Sequence, residues 1–273
     1  MLKECLQKVR KTHPLVHCIT NYVTVNDCAN ILLACGGSPI MADDIGEVEE
    51  ITALCNALVL NIGTLNERTI ASMLAAGKRA NQLGRPVVLD PVGVGASSLR
   101  TNTAKKLLQE IQFSVIRGNS SEIKTLAEGV GGARGVDAAE ADAVTGETLE
   151  NMISLAKAFS ARTGAVVAIT GAIDIVADQA RAYVIHNGSP LMANITGCGC
   201  MLTGVIGAYC AANPQTPLEG TAAAVCAMGL CGERAASLLS ADQGNATCRN
   251  FLIDQMSLLD GAGLEQGAKY EIR

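Results

Sequence analysis

PVVLDPVG, residues 86–93, is a run of Val and Leu closed by Asp-Pro and Gly. A strand whose side chains are apolar at every position, not at alternate ones, has to be covered on both faces, and that is the condition of a parallel strand inside a layered fold. ALVLNIG (57–63), FSVIRGN (113–119), AVVAITG (165–171) and PLVHCIT (14–20) read the same way, and SPIMA (38–42) is a shorter strand. Helical stretches separate them: VNDCANILLACG, ending at glycine, then GEVEEITALCN, NERTIASMLAAGKRANQL, TAKKLLQEI, SSEIKTLAEG and LENMISLAKAFSARTG. Repeated strand–helix alternation predicts an α/β fold with three layers, a doubly wound, mostly parallel sheet carrying helices on both faces. DIVADQARAYVIHNG (174–188) reads as a β-hairpin, the chain after it as helical, EGVGGARGVDAAEADAVTG (128–146) as a mobile loop and LEQGAKYEIR as a polar tail. No Pro/Ser-rich linker and no internal repeat interrupts the pattern, so residues 1–273 are expected to form one domain.

Composition narrows the function. Apolar residues make up 49% of the 273, enough for a large core and against disorder. The net charge is −5, no Lys/Arg cluster stands out, Trp is absent and aromatics are 3%, so nucleic acid is not an expected partner. The N-terminus, MLKECLQKVRKTH, has no apolar signal core, and the most apolar window (200–212) is too short to span a bilayer. The eleven cysteines are odd in number and lie mostly within apolar runs, as in NDCANILLACG and AAAVCAMGL. Free thiols in a reducing cytoplasm account for them, and no membrane association is expected.

In an open α/β sheet, ligands bind beyond the carboxyl ends of the strands. The residues there are Asn21, Met41, Gly63-Thr64, Asp90, Arg117-Gly118-Asn119 and Thr170-Gly171. Common nucleotide signatures are missing. Gly77-Lys78 has Ser72 where a phosphate loop needs its first glycine, and Gly129-Val-Gly131 is followed by Arg134 where a dinucleotide fingerprint needs its third. No HExxH or CxxC pattern exists, and His13, His17 and His186 are scattered. What does stand out is NITGCGCMLTG (194–204), a Gly-rich turn running into an apolar helix. Backbone N–H groups at such a helix start favour an anion, notably a phosphate, and the same field is expected to give Cys200 more thiolate than a free thiol has. Cys198 reads as packing. A disulfide between Cys198 and Cys200 would be strained, and a zinc site lacks further ligands nearby. The plainer, second-ranked reading is that Asp90 before proline only forms a turn and Glu122 is only a charge at a helix start.

HCITNYVT (17–24), SPIMADD (38–44), LDPVGVGAS (89–97), IRGNSSEI (116–123) and TGCGCML (196–202) together resemble the hydroxyethylthiazole kinase family of the ribokinase-like kinase superfamily, over nearly the whole chain. Gly197-Cys198-Gly199-Cys200 matches the superfamily's GxGD turn with cysteine in the aspartate's place, and Cys198 departs from the family's usual small or hydroxyl residue. The resemblance implies ATP-dependent phosphorylation of 4-methyl-5-(2-hydroxyethyl)thiazole, a thiazole alcohol, with Mg2+, by a homotrimer whose active sites lie between subunits. By motif it implies Cys200 as the catalytic residue, in the aspartate's place, as a base or as a group that positions the substrate, and Met41, Gly197, Asn21 and Thr196 at the substrate. It likewise implies Arg117, Thr170 and the Gly199 amide at the ATP phosphates, and Asp90 and Glu122 at the metal. Hydroxymethylpyrimidine or pyridoxal kinases share this turn and form the alternative within the fold. A thiol redox or metal-binding protein using Cys198 and Cys200, and a non-catalytic nucleotide sensor, are the alternatives outside it.

Overall fold

The computed structural model describes residues 1–129 and 144–273; most of the 128–146 stretch read as a loop lies outside the described residues. The strands are β1 (Leu15–Ile19), β2 (Ser38–Ile40), β3 (Ala57–Asn61), β4 (Val87–Asp90), β5 (Val115–Asn119), β6 (Val166–Thr170), β7 (Asp174–Ala177), β8 (Ala182–Ile185) and β9 (Tyr270–Ile272). Among the described residues they form one nine-stranded sheet in the order β2-β1-β3-β4-β5-β6-β7-β8-β9. From β2 to β6 all pairs are parallel, and β7, β8 and β9 add antiparallel strands at one edge.

The helices are α1 (Leu2–Thr12), α2 (Val25–Cys35), α3 (Val48–Leu54), α4 (Glu67–Gln82), α5 (Ser98–Glu110), α6 (Ser120–Glu128), α7 (Leu149–Thr163), α8 (Cys198–Ala212), α9 (Pro217–Ser237), α10 (Asn245–Leu258) and α11 (Gly261–Gly267). The unbroken apolar runs explain the layering. Because side chains alternate along a strand, Val16, Cys18, Ala57, Val59, Val88, Val166 and Ala168 enter one core with α1, α2 and α8 to α11. Their neighbours Ile19, Leu58, Leu60, Val87, Leu89, Val167 and Ile169 enter the other, with α3 to α7. Each such buried side chain contributes roughly 1.5–3 kcal/mol relative to leaving it in water, so neither face can be uncovered cheaply. Helix α8 is the central one: every residue from Met201 to Cys210 is buried. Among the described residues, no helix is long and apolar enough to cross a membrane.

One expectation fails. The segment read as a polar tail contains the last turn of α11, from Leu264 to Gly267, and the edge strand β9, which pairs Tyr270, Glu271 and Ile272 with Ile185, Val184 and Tyr183. Three residues carry too little periodicity to announce a strand, and the open edge of β8 supplies the partner. Tyr270 also lays its ring 5.5 Å from that of Tyr183.

Strand β1 lies between β2 and β3, so the chain leaves β1 in one direction and later returns on its other side. The carboxyl ends of β1 and β3 therefore flank the topological switch point, where α/β sheets open a crevice.

Candidate active site

The amino end of α8 stands over that crevice. Its N-cap is Gly197, in the left-handed region at φ 83°. A side chain there would be strained, and a Cβ would come within 2.4 Å of the Thr24 methyl group. Gly199 has a different reason for lacking a side chain. A Cβ on it would lie 2.3 and 2.5 Å from the two terminal nitrogens of Arg117, which crosses the first turn of the helix.

Cys200 follows, half-buried, with its sulfur in a network drawn from three strands. Asn21, just beyond β1, and Asn61, the last residue of β3, each donate a side-chain N–H to Sγ at 3.2 Å. Asn21 gives its other N–H to Asn61 Oδ1 at 3.1 Å, and Asn61 gives its other to Asp90 Oδ2 at 2.8 Å. Asp90 ends β4, is wholly buried, and accepts a further bond at 2.8 Å from Thr203 Oγ1 on α8. Its second oxygen faces Arg117 Nη1 at 3.5 Å, and Arg117 Nη2 donates to Thr170 Oγ1 at the end of β6. Arg117 Nε is buried without a hydrogen-bond partner among the described residues.

Asn119 and Glu122 form a reciprocal capping box at the start of α6: Asn119 Oδ1 accepts from Glu122 N and Glu122 Oε2 accepts from Asn119 N, both at 2.8 Å. Glu122 Oε1 accepts from Gly93 N at 2.7 Å, tying the loop after β4 to α6. Both amides favour the carboxylate, yet burial first and the charge of Asp90 second push Glu122 up to about 7. Asp90 is also raised by burial, against the pull of Arg117. Two carboxyls thus share a buried corner with one guanidinium, an arrangement suited to an added cation. Among the described residues no group of three or more His, Cys, Asp or Glu converges as a metal site.

The expected thiolate at residue 200 is corrected. Burial, and next Asp90, raise the Cys200 thiol above its ordinary value, outweighing the bonds from Thr24 and Asn21 and the charge of Arg117. The helix end supplies a field that loses to desolvation. Cys198 packs half-buried against the core, as read, and all eleven cysteines are free.

The structure thus gathers Asn21, Asp90, Arg117, Thr170, Gly197, Gly199 and Cys200 at one corner, with Glu122 beside Asp90. Thr196 is exposed in the turn before α8. Met41 follows β2 and is half-buried against the core. Asn61, Thr203 and Thr24 were not singled out from the sequence. The signal for the first two is a lone polar residue inside an apolar run, Asn61 in ALVLN and Thr203 in MLTGVIG. The corner offers a Gly-rich helix start and a guanidinium for a phosphate, carboxyls for a cation, and a sulfur for a hydroxyl.

The sequence model of the Hydroxyethylthiazole kinase family matches residues 6–261. The chain belongs to that family. It is 63% identical over 271 residues to a hydroxyethylthiazole kinase of Clostridium acetobutylicum, covering 99% of both chains. To one of Desulfovibrio desulfuricans it is 52% identical, over 96% of this chain and 94% of the relative. The solved hydroxyethylthiazole kinase of Pyrococcus horikoshii OT3 superposes with a TM-score of 0.88 at 34% identity, covering 100% of this chain and 98% of that one. A Staphylococcus aureus pyridoxal kinase in complex with ADP shares the fold alone, with a TM-score of 0.58 at 13% identity over 80% of this chain and 87% of that one. The fold is ribokinase-like, and the family's activity is ATP-dependent phosphorylation of the thiazole alcohol in thiamine biosynthesis and salvage.

Proposed function

We propose that this chain carries out that phosphorylation at the corner between the carboxyl ends of β1, β3 and β4 and the amino end of α8. Asn21, Met41, Thr196 and Gly197 hold the thiazole, with its hydroxyl directed at Cys200. Arg117, Thr170 and the amide of Gly199 hold the ATP phosphates. The hydroxyl oxygen attacks the γ-phosphorus in line, the bond from that phosphorus to the bridging oxygen breaks, and ADP leaves. The hydroxyl proton passes to the Cys200 sulfur in its thiolate form, which Asn21 and Asn61 each steady with one N–H. Because burial keeps most of the thiol protonated, Cys200 assists the reaction and does not dominate it. Positioning and neutralisation of charge carry the larger share.

Mg2+ suits the buried pair Asp90 and Glu122, whose mutual repulsion a divalent cation would relieve. When bound with ATP it would neutralise phosphate charge, and a site offering two carboxyls leaves room in the ion's shell for waters and phosphate oxygens. Residues 1–273 act as one catalytic domain in the cytoplasm, and three copies assemble with their sites between subunits. Supporting the assembly, Tyr22, Val23 and Ile45 are apolar and 79%, 60% and 58% exposed beside the ends of β1 and β2. Light scattering should give about three times the 28.2 kDa chain mass.

The observation that carries the reading is the convergence of Cys200, Asn21, Asn61, Asp90 and Arg117 on one helix end. The test is ADP release with hydroxyethylthiazole, hydroxymethylpyrimidine and pyridoxal as competing acceptors, with and without Mg2+. Turnover restricted to the thiazole and abolished by EDTA is expected. Equal turnover of pyridoxal, or none with the thiazole, would overturn the assignment.

A further inference from the structure

Asn61 has every hydrogen-bonding position of its side chain in use. Its two N–H groups go to Asp90 Oδ2 at 2.8 Å and Cys200 Sγ at 3.2 Å. Its oxygen accepts from Asn21 Nδ2 at 3.1 Å and from the backbone N–H of Gly63 at 2.9 Å. The orientation of the amide is dictated at both ends. Asp90 Oδ2 also receives the Thr203 hydroxyl and Gly63 N can only donate, so a flipped amide would set oxygen against oxygen and N–H against N–H. Asn61 is 2% exposed, on a strand otherwise of Ala, Leu and Val, where an amide is retained only if its polar atoms are paired.

We propose that Asn61 is a positioning residue for this kinase: its amide grips the Cys200 sulfur with one N–H and the Asp90 carboxylate with the other, fixing the distance and direction between the two. Asn21 fills a second direction of the sulfur, so the two amides together fix where it sits at the head of α8. This goes beyond the roles given to Cys200 and Asp90 and rests on that reading of Cys200. Thr203 closes the arrangement from the helix side. Its hydroxyl lies 2.8 Å from Asp90 Oδ2 and 3.0 Å from Gly199 O, so α8 and β4 are held in register at the turn that carries Cys200.

The purely architectural alternative is that Asn61 serves only to hold the turn at Gly63. Two substitutions separate them. Asn61→Ala removes all four bonds. Asn61→Asp keeps an acceptor for Gly63 N and Asn21 but replaces both donors, so the turn is retained while the grip on sulfur and carboxylate is lost. The intact enzyme and each variant would be treated with iodoacetamide at one fixed pH, with alkylation of Cys200 and, as internal reference, Cys198 followed peptide by peptide. Kinetics with hydroxyethylthiazole would be measured alongside. Losing a hydrogen bond to a charged acceptor corresponds to roughly a tenfold change. Alkylation of Cys200 should therefore slow about tenfold relative to Cys198 in both variants, with kcat falling at least as far and KM changing less than about threefold.

Unchanged Cys200 reactivity in folded Asn61→Asp would overturn the proposal, and so would an effect confined to KM. If Asn61→Ala does not fold, Asn61→Asp alone decides. Cys200→Ala keeps the two questions apart. Should it retain full kcat, the assigned role of the sulfur fails, whereas the alkylation rates still report whether Asn61 holds it.

Discussion

Replacing Gly197 with alanine tests the turn from which the whole site hangs. The left-handed φ of 83° costs an L-residue roughly 1–2 kcal/mol. The added Cβ would then meet Thr24 Cγ2 at 2.4 Å and Cβ at 2.9 Å. Thr24 cannot swing aside easily. It is β-branched, buried, and bound through both N and Oγ1 to Asn21 Oδ1 at 3.1 and 3.0 Å. Overpacking of this kind costs roughly 1–3 kcal/mol, so Gly197→Ala should lose about 2–5 kcal/mol in all. Thr24→Ser removes the offending methyl and keeps the hydroxyl, at a cost of about 0.8 kcal/mol on its own. Combined with Gly197→Ala it should return about 1–2 kcal/mol, a coupling well above the ~0.3–0.5 kcal/mol within which independent sites add. The φ penalty and the 2.9 Å contact with Cβ should remain. Urea unfolding followed by far-ultraviolet circular dichroism suits a chain with no Trp. A loss below about 1 kcal/mol, or no coupling to Thr24, would refute the geometry of the turn.

Gly199→Ala should behave differently, because its clash is with the flexible end of Arg117. Stability should change by under about 1 kcal/mol while kcat/KM for ATP falls roughly 10–100-fold, non-additively with Arg117→Ala. Glu122 holds its proton up to about 7 when folded, against 4.5 ordinarily. The folded chain therefore binds more protons between these values, and stability should fall by up to about 3 kcal/mol as pH rises through that window. Glu122→Gln should flatten this slope in denaturation series at several pH values, even though it leaves one of the Gly93 and Asn119 amides without its acceptor. Cys200→Ala should cost about 10²-fold in kcat, and the wild-type rate should climb with pH toward the raised titration of the thiol, a limb absent from the Ala variant.

The sheet and most helices were legible because burial on both faces leaves unbroken Val, Ile and Leu runs, and because α2 and α7 stop at Gly36 and Gly164, both left-handed. The strand-end residues were legible for the same reason, as the polar positions where those runs stop. The pairing of Asn61 with Cys200 was not. It depends on β3 lying beside β1 and under α8, a matter of strand order that no local pattern encodes. Thr203 reaches Asp90 across 113 positions of sequence and reads locally as one polar residue in an apolar helix. The sign of the Cys200 shift failed for a related reason. A helix start is visible in sequence, whereas burial and a carboxylate brought in from β4 are not.

That shift bears on why a cysteine can stand where the superfamily's turn carries an aspartate. An aspartate at 200 could receive the same two N–H groups, from Asn21 and Asn61, that now reach the sulfur. It would also place a third carboxyl at this corner, one amide away from Asp90, with Arg117 as the nearest guanidinium. Like charges so placed raise each other's titration, as Asp90 already does to Glu122 and Cys200. A carboxyl raised in this way still sits far below a raised thiol, so it is ionised over more of the neutral range. Cys200→Asp should therefore remain active and lose the alkaline limb of the rate profile. The cysteine spares the corner a buried charge and gives up basicity at neutral pH in return. A folded, inactive Cys200→Asp variant that still binds ATP and thiazole would rule out proton acceptance at this position and leave the sulfur a purely orienting part.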